Sequence, residues 1–169
     1  MKQHAVRIAV VAVVALILGS GVGLAQSNNC GRVGTWFGQG DSGITWIASD
    51  TPGVSATVGQ LDLDWVLIDP TLGGFFPTVV RVTNARGVWE KVNQRKYKYT
   101  WVAYAFDANA AIVFVARTSG YATMAGCNQV NITYTLELFD PAQDIWSDTP
   151  PFAFPGTAVE KRMPVVVVQ

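Results

Sequence analysis

Hydrophobic and polar residues alternate along most of this chain with a period of two. In Val130-Asn131-Ile132-Thr133-Tyr134-Thr135-Leu136-Glu137-Leu138 every even position is apolar and every odd one polar, the pattern of a strand with one face buried. Leu61-Asp62-Leu63-Asp64-Trp65 repeats it. So does Lys96-Tyr97-Lys98-Tyr99-Thr100-Trp101, which puts Tyr97, Tyr99 and Trp101 on one face and Lys96, Lys98 and Thr100 on the other. Ile112 to Arg117 and Thr78 to Val82 are β-branched runs, and beyond residue 25 no window carries a helical stripe. The pattern predicts an all-β chain.

The connections are also legible. Asp69-Pro70-Thr71-Leu72-Gly73-Gly74, Asp107-Ala108-Asn109-Ala110 and Asp140-Pro141-Ala142-Gln143 read as turns in which the Asp carboxylate accepts backbone N–H bonds. In the second of these Asn109 is the residue expected to tolerate a left-handed conformation. Asn84-Ala85-Arg86-Gly87 and Asn93-Gln94-Arg95 supply two further tight connections. Eight strands of ~9–11 residues with short turns occupy ~110–140 residues, which suits an antiparallel up-and-down β-barrel; a two-sheet β-sandwich is the alternative.

The amino terminus departs from this pattern. Lys2 and Arg7 precede an unbroken apolar run from Ile8 to Leu18, and Gly23-Leu24-Ala25 offers small residues for cleavage before Gln26. Residues 1–25 thus read as a signal peptide and 26–169 as one barrel domain, secreted or periplasmic. A membrane anchor is the other reading, but the apolar run would rise only ~16 Å as a helix, about half a bilayer core. The full chain of 169 residues has 12 basic and 12 acidic residues and a single histidine, His4. Cleavage removes Lys2, Arg7 and His4, leaving a net charge of −2 and no imidazole. That excludes Ser-His-Asp and Cys-His catalysis and histidine-ligated metals from the exported part. Export makes a disulfide between Cys30 and Cys127 plausible, and two unpaired thiols at opposite ends of the fold are the alternative.

An ordered set of residues carries a family resemblance. Gly34-Thr35-Trp36 opens the first strand, Gly87-Val88-Trp89 begins a second segment running to Tyr97 and Thr100, and the Phe106-Asp107 and Phe139-Asp140 junctions lead to Gly156-Thr157 and Arg162. Over residues 33–163 this resembles the lipocalin-like, or calycin-like, barrels of exported bacterial proteins. More distantly it is similar to the allene oxide cyclase and related polyketide cyclase barrels. The resemblance implies that Trp36 closes the barrel floor with Arg162 packed over its ring, and it gives Trp89 a structural role. The chain departs from the pattern at Ala110 and Gln143, where such barrels carry turn glycines. It departs again at Thr149-Pro150-Pro151-Phe152-Ala153-Phe154-Pro155, whose prolines argue against a central strand and suggest a flap over one barrel end.

Inward-facing Tyr97, Tyr99, Trp101 and Tyr134 are the candidate lining of a cavity for a small apolar or aromatic ligand, with an ordinary filled core as the alternative. Asp62 and Asp64 share a strand face at carboxylate-pair spacing, but that face is the polar one. Asp41-Ser42-Gly43 has the form of an aspartic-protease triplet and reads as a turn. Lys91, Arg95, Lys96 and Lys98 interleave with Tyr97 and Tyr99, yet the acidic balance and export argue against nucleic acid as a partner. Asn131-Ile132-Thr133 matches a glycosylation sequon within a strand. Val165 to Val168 reads as an edge or closing strand, and an exposed edge would favour self-association. No metal and no cofactor is called for, and no membrane partner remains after cleavage. The leading expectation is a ligand-binding barrel without catalytic chemistry. The alternatives are a barrel isomerase or cyclase in which tyrosine hydroxyls steer a reactive hydrophobic substrate, and a structural or interaction module.

Overall fold

The computed structural model describes residues 30–41, 43–55 and 57–164; the segment read as a signal peptide and the Val165–Val168 run lie outside the described residues. Nine strands follow one another: β1 (Gly34–Gly40), β2 (Thr45–Ser55), β3 (Val58–Leu67), β4 (Arg81–Val82), β5 (Ala85–Lys91), β6 (Lys96–Phe106), β7 (Ile112–Met124), β8 (Gln129–Phe139) and β9 (Phe152–Arg162). Every pairing is antiparallel, and the ladder runs β1–β2–β3–β5–β6–β7–β8–β9 and back to β1 through Trp36↔Arg162 and Gly40↔Ala158. The result is a closed eight-stranded up-and-down barrel, with the short β4 extending the line of β5 beside the end of β6. Closure rules out the sandwich. The period of two is its cause, since each strand turns one apolar face to a shared interior holding Leu61, Leu63, Tyr97, Tyr99, Val130 and Ile132.

Bulky inward side chains require small residues opposite them. A Cβ on Gly38 of β1 would come within 2.2 Å of the Trp46 indole, and one on Gly156 of β9 would meet the Tyr134 ring at 2.4 Å. These two glycines let a Trp and a Tyr lie across the neighbouring backbone.

Three expectations change. Of the Thr78–Val82 run only Arg81–Val82 is strand, because Val79 and Val80 finish the long β3–β4 loop. The proline-rich stretch is no flap: Phe152 to Pro155 form the start of β9, paired with Leu138 to Thr135 of β8. Proline is tolerated there because β1 ends at Gly40↔Ala158, leaving this part of β9 with a strand partner on one side only. In the β6–β7 turn Asp107 Oδ1 accepts the N–H groups of Asn109 and Ala111, but Ala110, with φ of 62°, takes the left-handed conformation. Ala110 therefore occupies the position at which a turn glycine would be unstrained.

Strand directions give the barrel two unlike ends. The 41–44, 68–80, 107–111 and 140–151 connections surround one end, here called the mouth. The segment before β1 and the turns after β2, β5 and β7 close the other. At this closed end Trp36 is fully buried, and the Arg162 guanidinium lies 4.2 Å from its ring centroid. Arg162 also donates to the carbonyls of Gly31, Val33 and Cys127, tying the first strand's approach to the β7–β8 turn. Cys30 and Cys127 meet there as a disulfide spanning 97 positions. A loop of that length constrains the unfolded chain by ~4–5 kcal/mol in the chain-entropy model. Replacing both cysteines by serine should therefore lower the unfolding free energy by up to about 4–5 kcal/mol, read from urea denaturation of the oxidised protein and the variant.

Candidate functional site

The barrel interior is filled from the closed end upward, but not completely. A cavity of about 70 Å³ remains between Trp46, Leu63, Trp65, Trp101, Ile132 and Leu136, with Tyr99, Thr118, Tyr134 and the Arg32 and Glu160 side chains also on its walls. It shares Ile44, Tyr134 and Leu136 with a vestibule of about 440 Å³ at the mouth, whose other walls include Asp41, Asp69, Leu72, Phe75 and Phe154. The two spaces form a funnel, wide at the loops and narrow inside.

Three indoles make one wall. Trp46 meets Trp65 edge-on at 6.5 Å between centroids, and Trp65 meets Trp101 at 5.6 Å. Trp65 and Trp101 reach each other across β5 because its inward positions there are Ala85 and Gly87, while Leu63 and Leu61 pair with those same residues on β3. Trp65 donates its indole N–H to the Thr83 carbonyl at 2.8 Å and Trp46 donates to Glu160 Oε1 at 2.8 Å, so both rings are fixed.

The closed end of the funnel is ionic. Arg32, just before β1, turns its side chain inward, and Arg32, Asp50 and Glu160 are 3, 2 and 1% exposed. The Arg32 guanidinium donates through Nη1 to Glu160 Oε2, and its Nε lies 2.8 Å from Asp50 Oδ2. Neither Asp50 oxygen has a well-aligned hydrogen bond, so the Arg32–Asp50 contact is coulombic rather than directional. Burial pushes the Asp50 carboxyl up to about 8; the Arg32 charge opposes this and the Glu160 charge adds to it. Burial also works against the Arg32 charge, but Glu160 and Asp50 outweigh it and its pKa is raised. Burial first, and Glu160 second, raise the Tyr99 phenol well above its ordinary value, so its hydroxyl stays protonated. At pH 7 Asp50 is mostly neutral, leaving Arg32 and Glu160 as a balanced pair.

Two hydroxyls on the walls lack protein partners. Thr118 is 2% exposed and its Oγ1 has no hydrogen-bond partner among the described residues. Among the described residues no hydrogen bond to the Tyr99 hydroxyl is present either, on the same cavity wall. Thr118 stands beside Trp101 and Leu136 in the ladder, while Tyr99 pairs with Gly120, two residues along from Thr118 and on the same face. Such diagonal neighbours lie ~7–8 Å apart.

Within the four connections of the mouth charge is of one sign, with Arg117 of β7 packed on Trp146 and Arg81 of β4 on Phe106 beside them. The four connections hold Asp41, Asp69, Asp107, Asp140, Asp144 and Asp148 and no lysine or arginine. Hydrogen bonds from the Thr71 hydroxyl and the Gly73 and Thr71 N–H groups hold Asp69 below the usual carboxylate range. The Trp146 N–H and the Ser147 hydroxyl do the same for Asp144. The basic residues of the connections, Arg32 and Arg95, lie at the opposite end.

Of the residues singled out in the sequence, Tyr99, Trp101 and Tyr134 stand on the cavity wall. Tyr97 does not: it packs at 5.6 Å against Trp89 nearer the closed end, within the filled core. The Asp62 and Asp64 carboxylates face outward, toward Arg86 and Asn84. Asp41 accepts the Thr157 N–H at 2.9 Å, a turn role. Sequence reading missed Arg32, Asp50, Glu160, Thr118 and Trp46. A signal existed for two of them, since Trp46-Ile47-Ala48-Ser49-Asp50 and Ala158-Val159-Glu160 put acids on inward positions that demand a counter-charge.

No protein-family model matches the chain, and no curated protein matches it either. Among solved structures, that of EF1p2_mFAP2b bound to DFHBI is similar, at 13% identity and a TM-score of 0.49 over 78% of this chain and 93% of that one.

Two outcomes follow from this geometry. The folded-state pKa of Asp50 lies above its ordinary value of 3.8, so the native state holds a proton that the unfolded chain releases. That contribution to stability is complete below pH 3.8 and is lost as pH rises to about 8. Over this window wild type should lose up to about 1.4 kcal/mol per pH unit relative to Asp50→Asn, measured by urea unfolding at pH 5 and pH 8. Thr118→Val, which removes an unpaired buried hydroxyl at constant volume, should raise stability by roughly 1 kcal/mol in the same assay.

Proposed function

We propose that this chain is an exported barrel that binds one small, largely apolar molecule through its mouth and performs no chemistry on it. The observation that carries the reading is the funnel: an inner cavity walled by Trp46, Trp65 and Trp101 that adjoins a larger vestibule across Ile44, Tyr134 and Leu136. Alone, the inner cavity is about half the ~150 Å³ of a dry protein cavity able to take benzene. A ring-sized ligand therefore straddles the two spaces, flat against the indoles and capped by Phe75 and Phe154 at the rim. Pockets that hold small molecules combine such apolar walls with a few polar groups. The disulfide supports an oxidising, extracytoplasmic setting.

The isomerase or cyclase reading would use the same walls and needs a group able to accept or deliver a proton. Glu160 has one oxygen on Trp46 and the other on Arg32, and the Tyr99 phenol is held far from ionising, which favours binding without chemistry.

Native mass spectrometry of the mature protein from its own host should reveal a retained small molecule. In solution, N-phenyl-1-naphthylamine should fluoresce on binding, and Trp101→Ala should weaken that binding at least tenfold. Trp101 is only half-buried, so the variant should lose less stability than the ~3–5 kcal/mol of aromatic truncation in a packed core. A loss in that range, with probe binding seen only in the variant, would establish a filled barrel instead.

A further inference from the structure

The funnel carries more information than its apolar walls. Thr118 borders the cavity with an unpartnered hydroxyl, and rotation about its χ1 exchanges that hydroxyl with its methyl group. Tyr99 borders the same cavity with a second hydroxyl, which no hydrogen bond among the described residues engages. Buried polar groups without partners are uncommon in folded proteins, and the Thr118 hydroxyl, with a second hydroxyl from Tyr99 on the same small cavity, points to a group that arrives from outside. Neither the walls nor the mouth suits an anion. Arg32, the cation at the cavity, is already bound by Glu160 and lies beside Asp50, and six aspartates ring the entrance. Their field extends ~8 Å into solvent at physiological ionic strength and opposes a carboxylate at the door.

We infer that the ligand is an uncharged ring compound bearing one hydroxyl or carbonyl group, bound with that group inward on Thr118 and Tyr99 and its apolar body against the three tryptophans. The inference rests on the binding reading above and narrows its ligand class: hydrocarbons bind without the polar anchor, and carboxylic acids of the same skeleton are turned away. Tyr99, protonated across the physiological range, donates, while Thr118 donates or accepts; a hydroxyl on the ligand satisfies both and a carbonyl accepts from both.

Displacement of N-phenyl-1-naphthylamine at pH 7.5 by naphthalene, 2-naphthol and 2-naphthoate tests this on the full mature chain. 2-Naphthol should displace the reporter at a concentration about tenfold lower than naphthalene, the size of one to two neutral hydrogen bonds, and 2-naphthoate should be the weakest of the three. Thr118→Val should shrink the naphthol advantage to about twofold, and Thr118→Ser, which keeps the hydroxyl, should preserve it. Equal potency of naphthol and naphthalene, an unchanged advantage in Thr118→Val, or a naphthoate as strong as the naphthol would each overturn the inference while leaving the binding reading intact. Failure of wild type to bind the reporter would instead overturn that reading, and the inference with it.

Discussion

A charged guanidinium inside a barrel must be neutralised where it lies, and the rest of this molecule is arranged around that requirement. Arg32 enters the closed end just before β1, and the two carboxyl groups around it come from the strands on either side of β1, its counter-charge Glu160 on β9 and the mostly protonated Asp50 on β2. The cluster therefore bridges the seam at which the sheet closes on itself. Removing one partner of such a buried pair strands a charge and costs ~3–5 kcal/mol, whereas the intact pair contributes little net stability. Its effect is on specificity: a one-residue slip of β9 against β1 would turn Glu160 outward and leave Arg32 without its partner. Trp46 adds a third tie, since its indole N–H reaches the same carboxylate.

Above this ionic floor the interior is built by pairing large side chains with missing ones. Gly38 admits Trp46, Gly156 admits Tyr134, and Ala85 with Gly87 let Trp65 and Trp101 meet across β5. The rings are fixed by edge contacts and indole hydrogen bonds, so the space they leave near the mouth is held open by rigid walls. The two barrel ends have opposite electrostatic character. The closed end is sealed by a disulfide and by Arg162 on Trp36, and the mouth is ringed by aspartates whose carboxylates are also the turn-formers. Charge at the entrance thus comes with the turn chemistry itself.

The alternation in β3, β6 and β8 and the Asp-led turns determined an all-β chain and the faces of those strands, because side-chain period and turn geometry are local properties of the backbone. The Trp36–Arg162 contact was legible through an ordered set of residues rather than through any one of them. Local rules erred where a partner was needed to judge them. The prolines before Gly156 are compatible with β9 because β1 stops short of them, and Ala110 rather than Asn109 accepts the left-handed position because Asp107 fixes the turn's hydrogen bonds. Whether Cys30 and Cys127 share an end depended on the number of strands between them. Only tertiary structure decided the site. Which aromatics face open space, and which, like Tyr97, are packed, depends on what lies across the barrel; the partners of Arg32 stand 18 and 128 residues away, distances over which sequence pattern carries no register.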